Sequence, residues 1–181
     1  MTVDEFITLL RHTEPPVPES ELEAFEADIG ARLPEDYRQF LLRVNGGSIP
    51  EWAHYRYKGL SPDGRTQYAI VSEVGGLRAG SDYSLRANRQ LYIAAPGPQP
   101  ELETKIPAAL LWIMKDPGGN AVCLGLTGPH RGKVYQWVHD EPPAEDVWDG
   151  EVETAANIWP LAGSFADFLR DFGPGQEDDD W

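Results

Sequence analysis

The chain has 181 residues, 41% of them hydrophobic, which suits one domain with a full apolar core. It carries 30 acidic and 15 basic residues, a net charge of −15. That balance argues against nucleic acid or an anionic membrane surface as a partner, because both require a basic footprint. Cys123 is the only cysteine, so an intramolecular disulfide and a cysteine-based metal cage are excluded.

Along the chain, Met1 to Arg11 holds Asp4 and Glu5 without a basic cluster. This is not the pattern of a signal peptide, and the expected location is the cytoplasm. No apolar run approaches the roughly 20 residues of a membrane helix. Val3 to Leu10 reads as a helix with Phe6, Ile7 and Leu10 on one face, followed by a stiff connection through Pro15, Pro16 and Pro18. Ser20 with Glu23 reads as a capping box for a second helix. Leu22, Phe25 and Ile29 line that helix and Gly30 terminates it. A third helix opens near Leu33-Pro34, buries Tyr37, Phe40, Leu41 and Val44, and stops at Asn45-Gly46-Gly47.

The periodicity then changes. Tyr55 to Leu60, Tyr68 to Val74 and Leu91 to Ala94 read as strands, while Gly75 to Arg89 fits a short helix and an irregular loop alike. Ala109 to Met114, the loop Asp116-Pro117-Gly118-Gly119-Asn120, and Ala121 to Leu126 form a hairpin. Lys133 to His139 extends it into an antiparallel meander. Asp140 to Asn157 is an acidic, proline-containing loop, and Ile158 to Leu161 is a brief strand. Ser164 caps a last helix with Asp167 three residues on, turning Phe165, Phe168, Leu169 and Phe172 inward. Helices, then strands, then a helix make an α+β fold: a twisted antiparallel sheet with N-terminal helices and a C-terminal helix packed on it. The expected organisation is a single domain over 1–175 and an acidic disordered tail over 176–181.

Chemistry is sparse in this pattern. His12, His54, His130 and His139 are too widely spaced for a zinc motif, and no phosphate-binding glycine loop precedes a helix. No Gly-x-Ser-x-Gly elbow is present, and Cys123 sits in the apolar run Ala121 to Leu124, as a buried thiol does. His139-Asp140-Glu141 is the most enzyme-like cluster, and it reads better as the polar end of a strand entering a loop. No catalytic residue, cofactor or metal is therefore expected. The expected partner is a protein. Its contact residues are placed at Trp52, Tyr55 and Tyr57 and at Glu145, Asp146, Trp148, Asp149 and Glu151. Trp148, ringed by acids, fits an interface anchor and a ring folded back over the core alike.

Four motifs in order carry a family resemblance. They are Glu23-x-x-Glu26-x-x-Ile29-Gly30 with Leu33-Pro34-x-Asp36-Tyr37-Arg38-x-Phe40-Leu41 and Asn45-Gly46-Gly47; Ile106-Pro107 with Asp116-x-x-Gly119-Asn120; Gly132-x-Val134-Tyr135-x-Trp137 with His139; and Leu161-Ala162-x-Ser164-Phe165-x-x-Phe168-Leu169. Together these resemble the SUKH superfamily, which includes yeast cell-wall-synthesis regulators and many bacterial immunity proteins. The resemblance implies an α+β domain without catalytic activity. It also implies a toxin domain as partner, such as a basic nuclease or deaminase, with an endogenous regulatory partner as the alternative. Trp52 to Pro100 and Glu141 to Asn157 match no family motif.

Overall fold

The computed structural model describes residues 1–50, 55–60, 64, 66–77, 83–93, 105–141 and 148–174. Helix α1 (Val3–Leu9) starts at a true capping box: the Thr2 hydroxyl accepts from the Glu5 amide, and the Glu5 carboxylate accepts from the Thr2 amide at 2.7 Å. Helix α2 (Glu19–Ile29) begins two residues earlier than a cap at Ser20 would place it. Its N-cap is Pro18, whose carbonyl accepts from Leu22 and whose side chain cannot cap, so Ser20 lies inside the first turn and forms no capping box. Glu19 and Glu21 instead place negative charge in that first turn, at the favourable end of the helix dipole. Gly30, at φ +67°, ends the helix in the left-handed region. Helix α3 (Glu35–Leu41) follows, with Pro34 as its N-cap.

Aromatic packing joins the helices. Phe6 of α1 meets Phe40 of α3, and Phe165 of α5 (Phe165–Asp171) lies 5.1 Å from Tyr37 and 5.4 Å from Phe40. All five of Phe6, Tyr37, Phe40, Phe165 and Phe172 are buried. Asp36 adds a polar tie: its Oδ1 accepts from the Tyr37 amide and its Oδ2 from the Ala166 amide in the first turn of α5. Ser164 caps α5, accepting from the Asp167 amide at 3.0 Å.

The strands are β1 (Gly47–Ser48), β2 (Tyr55–Leu60), β3 (Thr66–Ile70), β4 (Glu73–Val74), β5 (Leu110–Lys115), β6 (Ala121–Gly125), β7 (Val134–Trp137), β8 (Ile158–Ala162) and β9 (Gly173–Pro174). Six form an antiparallel sheet in the order β1-β4-β5-β6-β7-β8, and a smaller sheet runs β3-β2-β9. Residues of β5, β6 and β7 are buried almost without interruption, so the centre of the large sheet is covered on both faces.

Two of the expected strands differ. Tyr68 to Val74 is divided between β3 and β4, which belong to different sheets. The chain crosses between them at Val71 and Ser72, where Ser72 is already bonded to Ile49 and Lys115 of the larger sheet. Leu91 and Tyr92 end helix α4 (Leu85–Tyr92) rather than opening a strand. Ser84 caps α4, Leu85 and Asn88 are its buried positions, and only Ile93 makes a bridge, to Ile106. A short apolar run fits both periods, and the cap at Ser84 decides for the helix.

Several shared motifs have structural roles. Asn45 is buried and its Oδ1 accepts from the Leu77 amide at 2.6 Å, pinning the segment that follows β4. A Cβ on Gly76 would stand 2.7 Å from the Asn45 carbonyl, so that approach requires glycine. Arg38, buried, pairs with Glu19 and lies 3.4 Å from Glu26, which also accepts from the Leu33 amide; the network fixes α2 against α3. Residues 176–181 lie outside the described residues.

Candidate functional site

The acidic segment after β7 is built on Asn157. This side chain is fully buried, and its Nδ2 donates to the carbonyls of Val138 and Glu141 at 3.2 and 3.0 Å. The Asn157 carbonyl accepts from the Val138 amide. The two ends of the segment are thereby tied together at the end of the meander. Above this stem Trp148, Val152 and Ala155 are buried. Trp148 is 1% exposed and its Nε1–H donates to the Glu151 carbonyl at 2.8 Å. The indole thus faces the core and is not an exposed anchor; of the two readings left open by the sequence, the structure takes the inward one.

The charged positions of the segment that lie among the described residues face outward. Asp140, Glu141, Asp149, Glu151 and Glu153 are all exposed. Asp149 Oδ1 accepts from the Thr154 hydroxyl at 2.5 Å and the Glu151 amide at 3.1 Å. These bonds, the hydroxyl first, hold its carboxyl below the ordinary range. Glu153 accepts from His130 Nε2 at 2.9 Å, and His130 Nδ1 lies 2.9 Å from the Tyr135 hydroxyl. A carboxylate only accepts, so Nε2 carries a proton and donates to Glu153, while Nδ1 shares the other bond with the Tyr135 hydroxyl. Burial first, and the Glu153 charge second, push the Tyr135 hydroxyl upward. The relay fastens the acidic segment to the face of β7 that carries Tyr135 and Trp137.

Of the expected contact residues, Asp149 and Glu151 stand on this outer surface and Trp148 lies beneath them. Tyr55 and Tyr57 belong to β2, in register with Pro174 and Ala69. Trp52, Glu145 and Asp146 lie outside the described residues.

The enzyme-like cluster has another use. His139 Nδ1 and the His139 amide both meet Asn120 Oδ1, at 3.0 and 3.1 Å, while Asp116 Oδ1 accepts from the Asn120 amide. The ring rests against Gly119 and Trp137, closing the β5–β6 turn onto the end of β7. Cys123 is buried, and burial pushes its thiol up. Among the described residues, no group of three or more His, Cys, Asp or Glu side chains is arranged to hold a metal ion, and no helix is long and apolar enough to cross a membrane. What the described part of the site offers chemically is a set of exposed carboxylates, those of Asp149 and Glu153 held by hydrogen bonds, that can form ion pairs with a basic surface.

Two features escape the sequence. The His130–Glu153 pair joins residues 23 apart and has no local signature. The other is a groove of about 460 Å³ between α2 and α4, lined by Phe25, Asp28, Ile29, Arg86, Arg89, Gln90 and Ile93. Arg86 and Arg89 become neighbours only once that stretch is known to be helical.

A protein-family model described as SMI1 / KNR4 family (SUKH-1) matches residues 16–171. Comparison with curated proteins and with solved structures gives no match.

Proposed function

The chain belongs to the SMI1/KNR4 family (SUKH-1), whose members typically bind protein partners and are generally non-catalytic, and from that premise we propose that it is a bacterial immunity protein. It binds a toxin domain in the cytoplasm and neutralises it by occupying or flanking a basic functional groove. The observation that carries this reading is the outward acidic rim of the segment after β7, held in place by Asn157 and the His130–Glu153 pair, on a chain of net charge −15.

The physical division of labour is as follows. The summed negative field speeds encounter with a basic partner, and a small number of close contacts hold the complex. Asp149 and Glu151, with Glu145 and Asp146, supply the ion pairs of the contact surface. Trp52, Tyr55 and Tyr57 supply its aromatic part. Trp148 acts from below, keeping the rim in shape. The non-catalytic part of the reading is supported by the family's general character, and the hydrogen bonds of His139 to Asn120 and of His130 to Tyr135 and Glu153 are compatible with structural roles.

The test is neutralisation. Co-expression of the chain with the toxin domain encoded beside its gene is expected to restore growth, and charge reversal at Glu145, Asp146 and Asp149 is expected to abolish the rescue. Absence of a toxin gene from the neighbourhood, together with capture of several unrelated endogenous proteins, would favour a regulatory module of the same fold.

A further inference from the structure

The groove between α2 and α4 differs in character from the rest of this acidic protein. Its apolar floor is formed by Ile29 of α2 and Ile93 at the end of α4, both partly exposed, with the Phe25 ring buried behind them. Its α4 wall carries Arg86, Arg89 and Gln90, and helix α4 contains no acidic residue. Arg86 lies over the Phe25 ring, 5.2 Å from its centroid, and pairs with Asp28 on the opposite wall. Arg89 donates to the Leu110 carbonyl at 3.3 Å and has no carboxylate partner among the described residues. Partial burial lowers its pKa, as expected of a cation short of counter-charge. Leu91, on the same helix, is 59% exposed.

We propose that this groove binds an acidic peptide segment of a partner protein, one apolar side chain packing against Ile29 and Ile93 while a neighbouring carboxylate pairs with Arg89. The site goes beyond the toxin-binding reading and does not rest on it, because it selects a partner of the opposite charge. Charge complementarity decides among occupants. A purely apolar ligand would desolvate Arg89 further without a counter-ion, which is costly. A small inorganic anion would leave the apolar floor in water. A second copy of the chain would bring a net charge of −15 against the same charge. A peptide with an acid beside an apolar residue satisfies both the floor and the wall. Asp28 competes with it for Arg86, so the groove is partly self-occupied in charge.

The experiment is selection of a random 12-residue peptide library displayed on phage against the full chain. Enriched peptides are expected to place Asp or Glu within two residues of Leu, Ile, Phe or Trp. The best of them, synthesised and labelled, is expected to bind Arg89→Glu and Arg86→Glu at least about tenfold more weakly. It is expected to bind Asp28→Asn a few-fold more tightly, because that change frees Arg86 without adding apolar surface. The gain at Asp28 separates recognition from a folding defect at Arg89, since a disturbed fold does not tighten binding. Failure to enrich, enrichment of basic peptides, or equal affinity across the three variants overturns the proposal. A wild-type dimer in sedimentation that Arg89→Glu dissolves would give the groove to a second copy and overturn it as well.

Discussion

Removing the Trp148 indole takes away a fully buried ring and a donor to the Glu151 carbonyl. Trp148→Ala is expected to lower the free energy of unfolding by about 3–5 kcal/mol, read from urea denaturation. A cost near zero would show that the ring is not part of the core. Asp149 makes a second prediction in the same segment. Its carboxyl is held low chiefly by the Thr154 hydroxyl, so Thr154→Val is expected to move its titration back upward in a carbon-detected NMR experiment. The sign follows from linkage. A carboxylate whose folded pKa lies below its unfolded one contributes stability that is present above the unfolded value, around pH 4, and is lost as the pH falls through the folded value. This bond therefore adds to the stability of the segment at neutral pH and its contribution fades in acid, and an unchanged Asp149 titration in Thr154→Val would contradict that.

Elements whose signals are local were the legible ones. The hairpin at Asp116–Asn120 is marked by glycines and turn formers, and Ser164 caps α5 as its position beside Phe165 and Phe168 suggests. Where two neighbours compete, composition does not decide. Pro18 rather than Ser20 begins α2, because the extended backbone of a proline already positions its carbonyl for the first turn. Helix α4 is one of two readings that Gly75 to Arg89 allows, and its last turn is hidden because Leu91, Tyr92 and Ile93 form an apolar run with no period of its own, so the pairing of the groove arginines stays undecided too. The pairing that closes the hairpin onto β7 gives this scale its test. Gly119 sits at φ +105°, and a Cβ there would stand 3.2 Å from the His139 ring. Gly119→Ala is expected to cost about 1–3 kcal/mol through backbone strain, seen as a lower Tm. An unchanged Tm would mean that the turn relaxes freely.

The whole molecule is an α+β domain whose helical layer and antiparallel sheet share one apolar core, and its class followed from the order of helices and strands. The candidate site was legible only in part. Its acidic composition is plain in the sequence, but the bonds that organise it run from Asn157 to Val138 and from Glu153 to His130, across distances in the chain that no local pattern spans. The division between a buried Trp148 and exposed Asp149 and Glu151 is a product of that folding. Charge is the property that belongs to the molecule as a whole, and it bears the functional claim. The decisive measurement is the association rate with the proposed toxin partner between low salt and several times the physiological level, for the wild type and for Asp149→Lys/Glu151→Lys. The account predicts a rate that falls steeply with salt, and a lower, flatter rate for the double reversal, reduced by about tenfold or more at low salt. A rate indifferent both to salt and to the reversal would contradict it.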